Sequence, residues 1–444
     1  MLNEKMVTNS SSAHPFFPLL SLFLLIVYKM HVIILMLTAI MGFIGSPCKV
    51  AAYGVYQQDL QQQPFAAWTQ TVDPTFITPY SEQWVHMLES IFNAWGTHNA
   101  TDKEEHCLHK LPEFTCSPML WDDAIKHRDA RHLRPQDIKS IVALGDSITA
   151  GFGMLSGRPP FASLWEYRGK AFSAGGDPGE YTLANFLSTY TDDIRGAPVG
   201  VTWPLSRGKG LNEAITGAKY QELEHEVNRL VRIYRSSEYS ALKQEWKLVT
   251  LFIGANNVCL LCTPPVTKLP DVADVDVLEQ SVRRVLERLR TDIGKSFVNL
   301  VGLFNVSSVF EASRGDPYCE YLFDTTHMFI CSCIQDDDNQ RQAADHVVYE
   351  YNRRLEKIAL EYAELNDPGF AVAYQPGFAA FPVSKYKQSY FSGVDCFHPN
   401  QCANRVMAIV LWNNMFSTPE EKLIPYDVEN LTIKCPDSHR PYLQ

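Results

Sequence analysis

Four short stretches of this chain are apolar or nearly so: Ile141–Leu144, Leu248–Ile253, Phe297–Leu303 and Phe370–Tyr374. Each has the length of a buried strand. Between them the apolar period changes to that of a helix. Leu223, Val227, Leu230, Val231 and Tyr234 share one helical face. Leu278, Val282, Val285, Leu286, Leu289 and Ile293 share a second, and Ala344, Val347, Val348, Tyr351, Leu355, Ile358 and Tyr362 a third. Continuous apolar strands alternating with amphipathic helices predict an α/β fold, with a parallel sheet covered on both faces. In such sheets ligands gather beyond the C-terminal ends of the strands.

The residues before this alternation read differently. Phe16–Tyr28 and Val32–Ile44 are apolar but separated by Lys29, Met30 and His31. Each half is shorter than the roughly 20 residues a membrane-spanning helix needs. Joined, they would carry a cation at mid-span, at a cost on the order of 3 kcal/mol. A start at Met30 makes Val32–Ile44 the core of a signal peptide, with cleavage expected after Ala52; the alternative is an uncleaved signal anchor. Residues 1–52 are therefore expected to be a signal or anchor, 53–135 an N-terminal extension, 136–418 the catalytic domain, and 419–444 a tail packed on the core. Within the extension, Trp84, Leu88 and Phe92 predict a helix over Tyr80–Asn93. The C-terminus, ending in "PYLQ", shows no apolar span, so any membrane attachment is expected from the N-terminal segment.

Charge and cysteine content narrow the function classes. A net charge of −11 argues against nucleic-acid binding. Of 11 cysteines, one (Cys48) leaves with a cleaved signal, and the even remainder suits disulfides in an oxidising compartment. Cys259-x-x-Cys262 and Cys331-x-Cys333 also have the spacing of zinc half-sites, but disulfides are the expected state. Sequence leaves their connectivity open. Asn99, Asn305 and Asn430 begin glycosylation sequons, consistent with secretion; a fourth, at Asn9, precedes the apolar segment.

Four stretches carry candidate chemistry. "IVALGDSITAGFG" places Ser147 just past a strand, where a following helix would present N–H groups to an anion. By itself Gly-Asp-Ser is an ordinary strand-to-helix turn with an N-cap. "LNEAITGAKYQEL" puts Gly217 before a helix, where a missing Cβ lets backbone approach a substrate. "LFIGANNVC" puts the amide of Asn256 in a loop after another strand. "DCFHPN" sets Asp395 three residues before His398, so that one turn can aim both towards a serine. A nucleophilic hydroxyl needs such partners: a base, a group that orients the base, and donors for the developing oxyanion. His225, on a polar helix face, and His327, in a cysteine-rich loop, lack such company.

In that order, Ser147, Gly217, Asn256 and His398 resemble the four marker residues of the SGNH (GDSL-type) hydrolases. The similarity is closer to the animal phospholipase B1 family, through "LRPQDIKSIVALGDSITAGFG", "EYRGKAFSAGGD", "WKLVTLFIGANNVCLLC", "DCFHPN", "IVLWNNMF" and "KCPDSHRPYL". It extends from about Cys107 to the C-terminus. The resemblance implies a three-layer α/β/α, flavodoxin-like fold and ester hydrolysis without metal or cofactor. It implies glycerophospholipid and lysophospholipid substrates met at a lipid–water interface. It implies Ser147 as nucleophile, His398 as base, Asp395 as its orienter, and the Ser147 and Gly217 N–H groups with the Asn256 amide as oxyanion hole. Two features depart from the pattern. Asn257 stands where the family usually has Asp, and the chain holds one catalytic unit rather than tandem repeats with a C-terminal anchor. A carboxylesterase or deacetylase acting on short acyl or carbohydrate esters is the second enzyme reading. A catalytically silent binding protein, motivated by Asn257, is the third.

Overall fold

A computed structural model describes residues 107–118 and 128–444, apart from 159–163, 207, 209, 263–271, 327–330, 332, 334–336, 380 and 386. The N-terminal apolar segments, the Tyr80–Asn93 helix, Asn9, Asn99 and His327 lie outside the described residues. The four apolar runs form strands β1 (Ile138–Gly145), β2 (Trp246–Phe252), β3 (Ser296–Val301) and β4 (Phe370–Gln375). They pair in the order β1-β2-β3-β4, all parallel. The ends differ from the apolar runs by no more than three residues, because pairing and not hydrophobicity sets where a strand stops.

The helices used below are α1 (Ser147–Ala150), α2 (Leu223–Tyr234), α3 (Ala255–Leu260), α4 (Val275–Arg288), α5 (Asp338–Leu365) and α6 (Gln401–Asn414). The sheet with its flanking helices is the α/β/α architecture expected. The apolar face of α2 is fully buried, Leu223, Val227, Leu230, Val231 and Tyr234 included. Removing those five side chains from water is worth on the order of 10 kcal/mol. The second face continues past α4 into a π turn over Leu289–Ile293. Of the third face only Val347 is not fully buried. Asp274 and Asp337 cap α4 and α5 by accepting N–H bonds at their first turns. Glu279 of α4 pairs with Arg354 and Lys357 of α5, locking the two together.

Helix α6 is buried almost all round, so it has chain on every side. Disulfides Cys107–Cys402 and Cys116–Cys435 fasten residues on either side of the core to it or beside it. Phe114 stacks on Phe186 at 4.4 Å and meets Trp412 edge-on. Trp412 Nε1 donates to the Lys434 carbonyl, and the Leu443 N–H to the Leu133 carbonyl.

One ladder was not visible as an apolar run. Along the free edge of β1, Ile141 N–H donates to Arg195 O, Ala143 N–H to Leu211 O, and Ile215 N–H to Gly145 O. The edge is thus closed by two short parallel pieces around residues 195 and 211–215. The chain leaves β1, visits this edge, and returns to the other side of β1 as β2. That reversal opens a crevice at the C-terminal end of β1, where such sheets take ligands.

Candidate active site

Register brings three loops to one level. Gly145 is hydrogen-bonded to Ile215 on one side and aligned with Phe252 on the other. Ser147 lies two residues past Gly145, Gly217 two past Ile215, and Asn256 four past Phe252. Gly145 has φ +152°, and a Cβ there would stand 2.2 Å from the Phe252 carbonyl oxygen, so only glycine lets β2 approach this closely. Gly217 has φ +83°, in the left-handed region that favours glycine.

The helix expected after Ser147 is one turn only. Asp146 caps it through Ile148 N–H, and Gly151 ends it at φ 74°. Its short length leaves little macrodipole, so any anion stabilisation here falls to individual N–H donors.

From across the crevice comes the loop before α6. His398 Nε2 is 2.7 Å from Ser147 Oγ, and His398 Nδ1 is 2.5 Å from Asp395 Oδ2. All three residues are buried. Asp395 Oδ1 also accepts the N–H groups of Phe397 and His398, at 2.9 and 3.0 Å. Burial alone would raise the Asp395 pKa, but the His398 charge and these hydrogen bonds outweigh it and hold the carboxyl below its usual range. Cys396, at φ 55°, is bonded to Cys319 in the helix Pro317–Thr326, which fixes this turn from outside. Phe152 and Phe397 pack edge-on against the imidazole.

Asn256 Nδ2 donates to the Ala218 carbonyl at 2.8 Å, which places its amide beside the Gly217 turn. The neighbouring Asn257 is fully buried. It accepts the Tyr220 N–H at 3.0 Å and donates to Gln221 Oε1 and Val272 O at 2.9 and 2.5 Å. Behind this loop, Cys259–Cys331 and Cys262–Cys333 occupy the four sulfurs whose spacing also fitted zinc half-sites. Among the described residues no group of His, Cys, Asp or Glu is arranged to hold a metal ion.

Several supporting residues escaped the sequence reading. Arg168, buried, donates to Glu166, Thr202 and the carbonyls of Asn212 and Ala214. It thereby braces the edge segment that leads to Gly217, which accounts for the "EYRGK" stretch. Glu226 of α2 accepts the Gly145 N–H at 2.8 Å, and burial pushes its pKa well up. Asp146 is likewise buried, and its Oδ2 has no hydrogen-bond partner among the described residues. Burial raises its pKa to about 7, against the lowering effects of the Ile148 N–H and the His398 charge. The only advance signal for any of these was polarity inside apolar surroundings.

The model of the GDSL-like lipase/acylhydrolase family matches residues 141–411, more than half of the chain. The chain belongs to that family. This GDSL-family chain is also 30% identical over 329 residues to the human protein "Phospholipase B1, membrane-associated", covering 70% of this chain and 22% of that one. The rat protein of the same name is 29% identical, with 74% and 23% covered. The chain thus spans less than a quarter of these relatives' length. Among solved structures, an acetylxylan esterase from Geobacillus stearothermophilus aligns over 64% of this chain and 96% of its own, at 15% identity and a TM-score of 0.33. A lipase from a goat rumen metagenome aligns over 61% and 93%, at 14% identity and the same score.

Proposed function

We propose that this chain is a serine esterase that hydrolyses acyl esters of glycerophospholipids and lysophospholipids through an acyl-enzyme. The observation that carries the reading is the contact of His398 Nε2 with Ser147 Oγ, with Asp395 behind the imidazole. His398 takes the hydroxyl proton as Ser147 Oγ attacks the ester carbonyl. Asp395, held ionised, keeps the second ring proton on Nδ1 and stabilises the imidazolium. The N–H groups of Ser147 and Gly217 and the Asn256 amide receive the oxyanion, each worth roughly 3 kcal/mol. His398 then protonates the leaving glycerol oxygen. Water, deprotonated by the same imidazole, releases the fatty acid and restores Ser147. The lipid part of the proposal draws on the named phospholipase B1 relatives.

The five disulfides support passage through an oxidising compartment, because such bonds are rare where thiols are kept reduced. Asn305 and Asn430 are exposed, as glycan acceptors must be. Secretion, or display on an extracytoplasmic membrane surface, is the proposed location. Among the described residues no helix is long and apolar enough to cross a membrane.

A fluorophosphonate probe tests the chemistry. The wild-type protein should be labelled and Ser147→Ala should not. Absence of wild-type labelling in folded protein would favour the silent binding protein. Release of fatty acid from long-chain lysophosphatidylcholine, set against acetate from an acetyl ester, then separates a phospholipase from a short-chain esterase.

A further inference from the structure

A buried ion pair stands beside the edge ladder of β1. In that ladder the odd-numbered residues face β1: Leu211 O accepts from Ala143 N–H, while Glu213 N–H donates to Ala143 O and Ile215 N–H to Gly145 O. The even-numbered residues turn the other way, as alternate residues of an extended segment do. Arg168 meets them in place of a further strand: Nη1 donates to Asn212 O at 2.8 Å and Nη2 to Ala214 O at 2.9 Å. Glu166 and Arg168, two apart in the chain, share a face. Glu166 Oε2 accepts from Arg168 Nε at 2.9 Å and from Nη2 at 2.6 Å. The other oxygen, Oε1, accepts the hydroxyl of Thr216, the next residue in the even row. Glu166, Arg168 and Thr216 are each no more than 1% exposed.

Thr216 precedes Gly217, so the peptide joining them carries the N–H assigned above to the oxyanion. Among the described residues that N–H donates to no backbone or side-chain acceptor, which leaves it available to a ligand. Glycine has no side chain to hold this peptide, so its anchor comes from a neighbour. We infer that Glu166 and Arg168, acting through the Thr216 hydroxyl, are positioning residues that set the Gly217 N–H against the oxyanion. The inference rests on the esterase reading above and goes beyond it in naming what keeps the oxyanion hole in shape. The same pair reaches the Ser147 turn. Asn212, whose carbonyl Arg168 bonds, donates through Nδ2 to Thr149 O at 2.8 Å, inside α1. Both backbone donors of the proposed hole therefore lean on one guanidinium. Stability is a poor reason for such a pair, because apolar residues of equal volume usually pack a core as well as a buried ion pair does. Holding a turn in place is a better one: a misplacement of about 1 Å can cost about a hundredfold in rate.

The test measures kcat, KM and the urea midpoint of the full chain on an activated acyl ester. Thr216→Val keeps the shape and removes the hydroxyl. It should lower kcat about ten- to a hundredfold with KM little changed. Inhibition by phenylboronic acid, whose serine adduct presents an anionic oxygen, should weaken by a similar factor. Thr216→Ser keeps the hydroxyl and should restore most of both. Thr216→Ala removes the hydroxyl with more room to adjust, and repeats the measurement if Thr216→Val does not fold. A variant without the hydroxyl that unfolds earlier in urea yet keeps wild-type kcat and boronate inhibition overturns the inference, since a purely structural bond would give that result. So does a loss that Thr216→Ser shares in full. Fluorophosphonate labelling separates the two failures. Labelled, active wild type with an unaffected Thr216→Val sinks only this inference, while folded wild type that is neither labelled nor active sinks the esterase reading as well.

Discussion

Replacing Asn257 with aspartate should harm this protein. The side chain is fully buried and makes three hydrogen bonds. Tyr220 N–H can only donate, so it fixes the Asn257 oxygen on its side and the NH₂ on the other. Asn257→Asp keeps that one bond. It sets a second oxygen against the Val272 carbonyl, an acceptor facing an acceptor at 2.5 Å, and removes the donor to Gln221. The Gln221 amide can turn to donate instead; the Val272 carbonyl cannot. One lost bond costs about 1 kcal/mol, and an unmatched buried carboxylate adds about 1–3 more. The expected loss is about 2–4 kcal/mol, a large share of an ordinary domain's stability. Protonating the introduced carboxylate would restore one donor, so the loss should shrink as pH falls towards 5. Urea unfolding of wild type and Asn257→Asp at pH 5 and pH 8 measures it, with ester turnover recorded below the transition. A variant as stable as wild type at both pH values, or several-fold more active, would refute this account of why Asn stands here.

Three further outcomes are expected. Asn256→Ala removes one oxyanion donor and should lower kcat on an activated ester by about 10²–10³, with KM little changed; equal loss in both parameters would argue for a collapsed loop. Asp146→Asn keeps an acceptor for the Ile148 N–H. With the folded pKa raised from 3.8 to about 7, native Asp146 holds its proton while the unfolded chain releases it, so wild-type stability falls as pH rises through that window. The variant escapes this and should gain on wild type by about 3–4 kcal/mol between pH 4 and pH 8; parallel urea midpoints across that range would count against it. Replacing Cys116 and Cys435 together by Ser should cost about 2–5 kcal/mol, read as a lower thermal midpoint, while fluorophosphonate labelling at 20 °C persists.

The sheet was legible because parallel strands buried on both faces must be apolar throughout, and the helices because burial of one face repeats at helical spacing. The edge ladder around Arg195 and Leu211–Ile215 was not: it is short, carries Asn212 and Glu213, and exists only because β1 offers an unpaired edge. Ser147, His398 and Asp395 could be nominated from spacing, and their meeting depends on contacts across 251 positions. That Arg168 and Glu166 are buried together follows from tertiary packing, which no local pattern encodes. The same holds for Asn257, whose partners come from a separate turn and from the loop before α4. Cysteine number announced disulfides but not which pairs form, since pairing is a matter of distance.

Two loops of the proposed site, the His398 turn and the one that carries Asn256, are each tied by a disulfide. Cys396 stands between Asp395 and His398 in the chain, and Cys259 follows Asn256 by one turn of helix. Oxidation of these thiols therefore fixes the chain on both sides of the proposed site, tying the turn that carries His398 to the helix Pro317–Thr326.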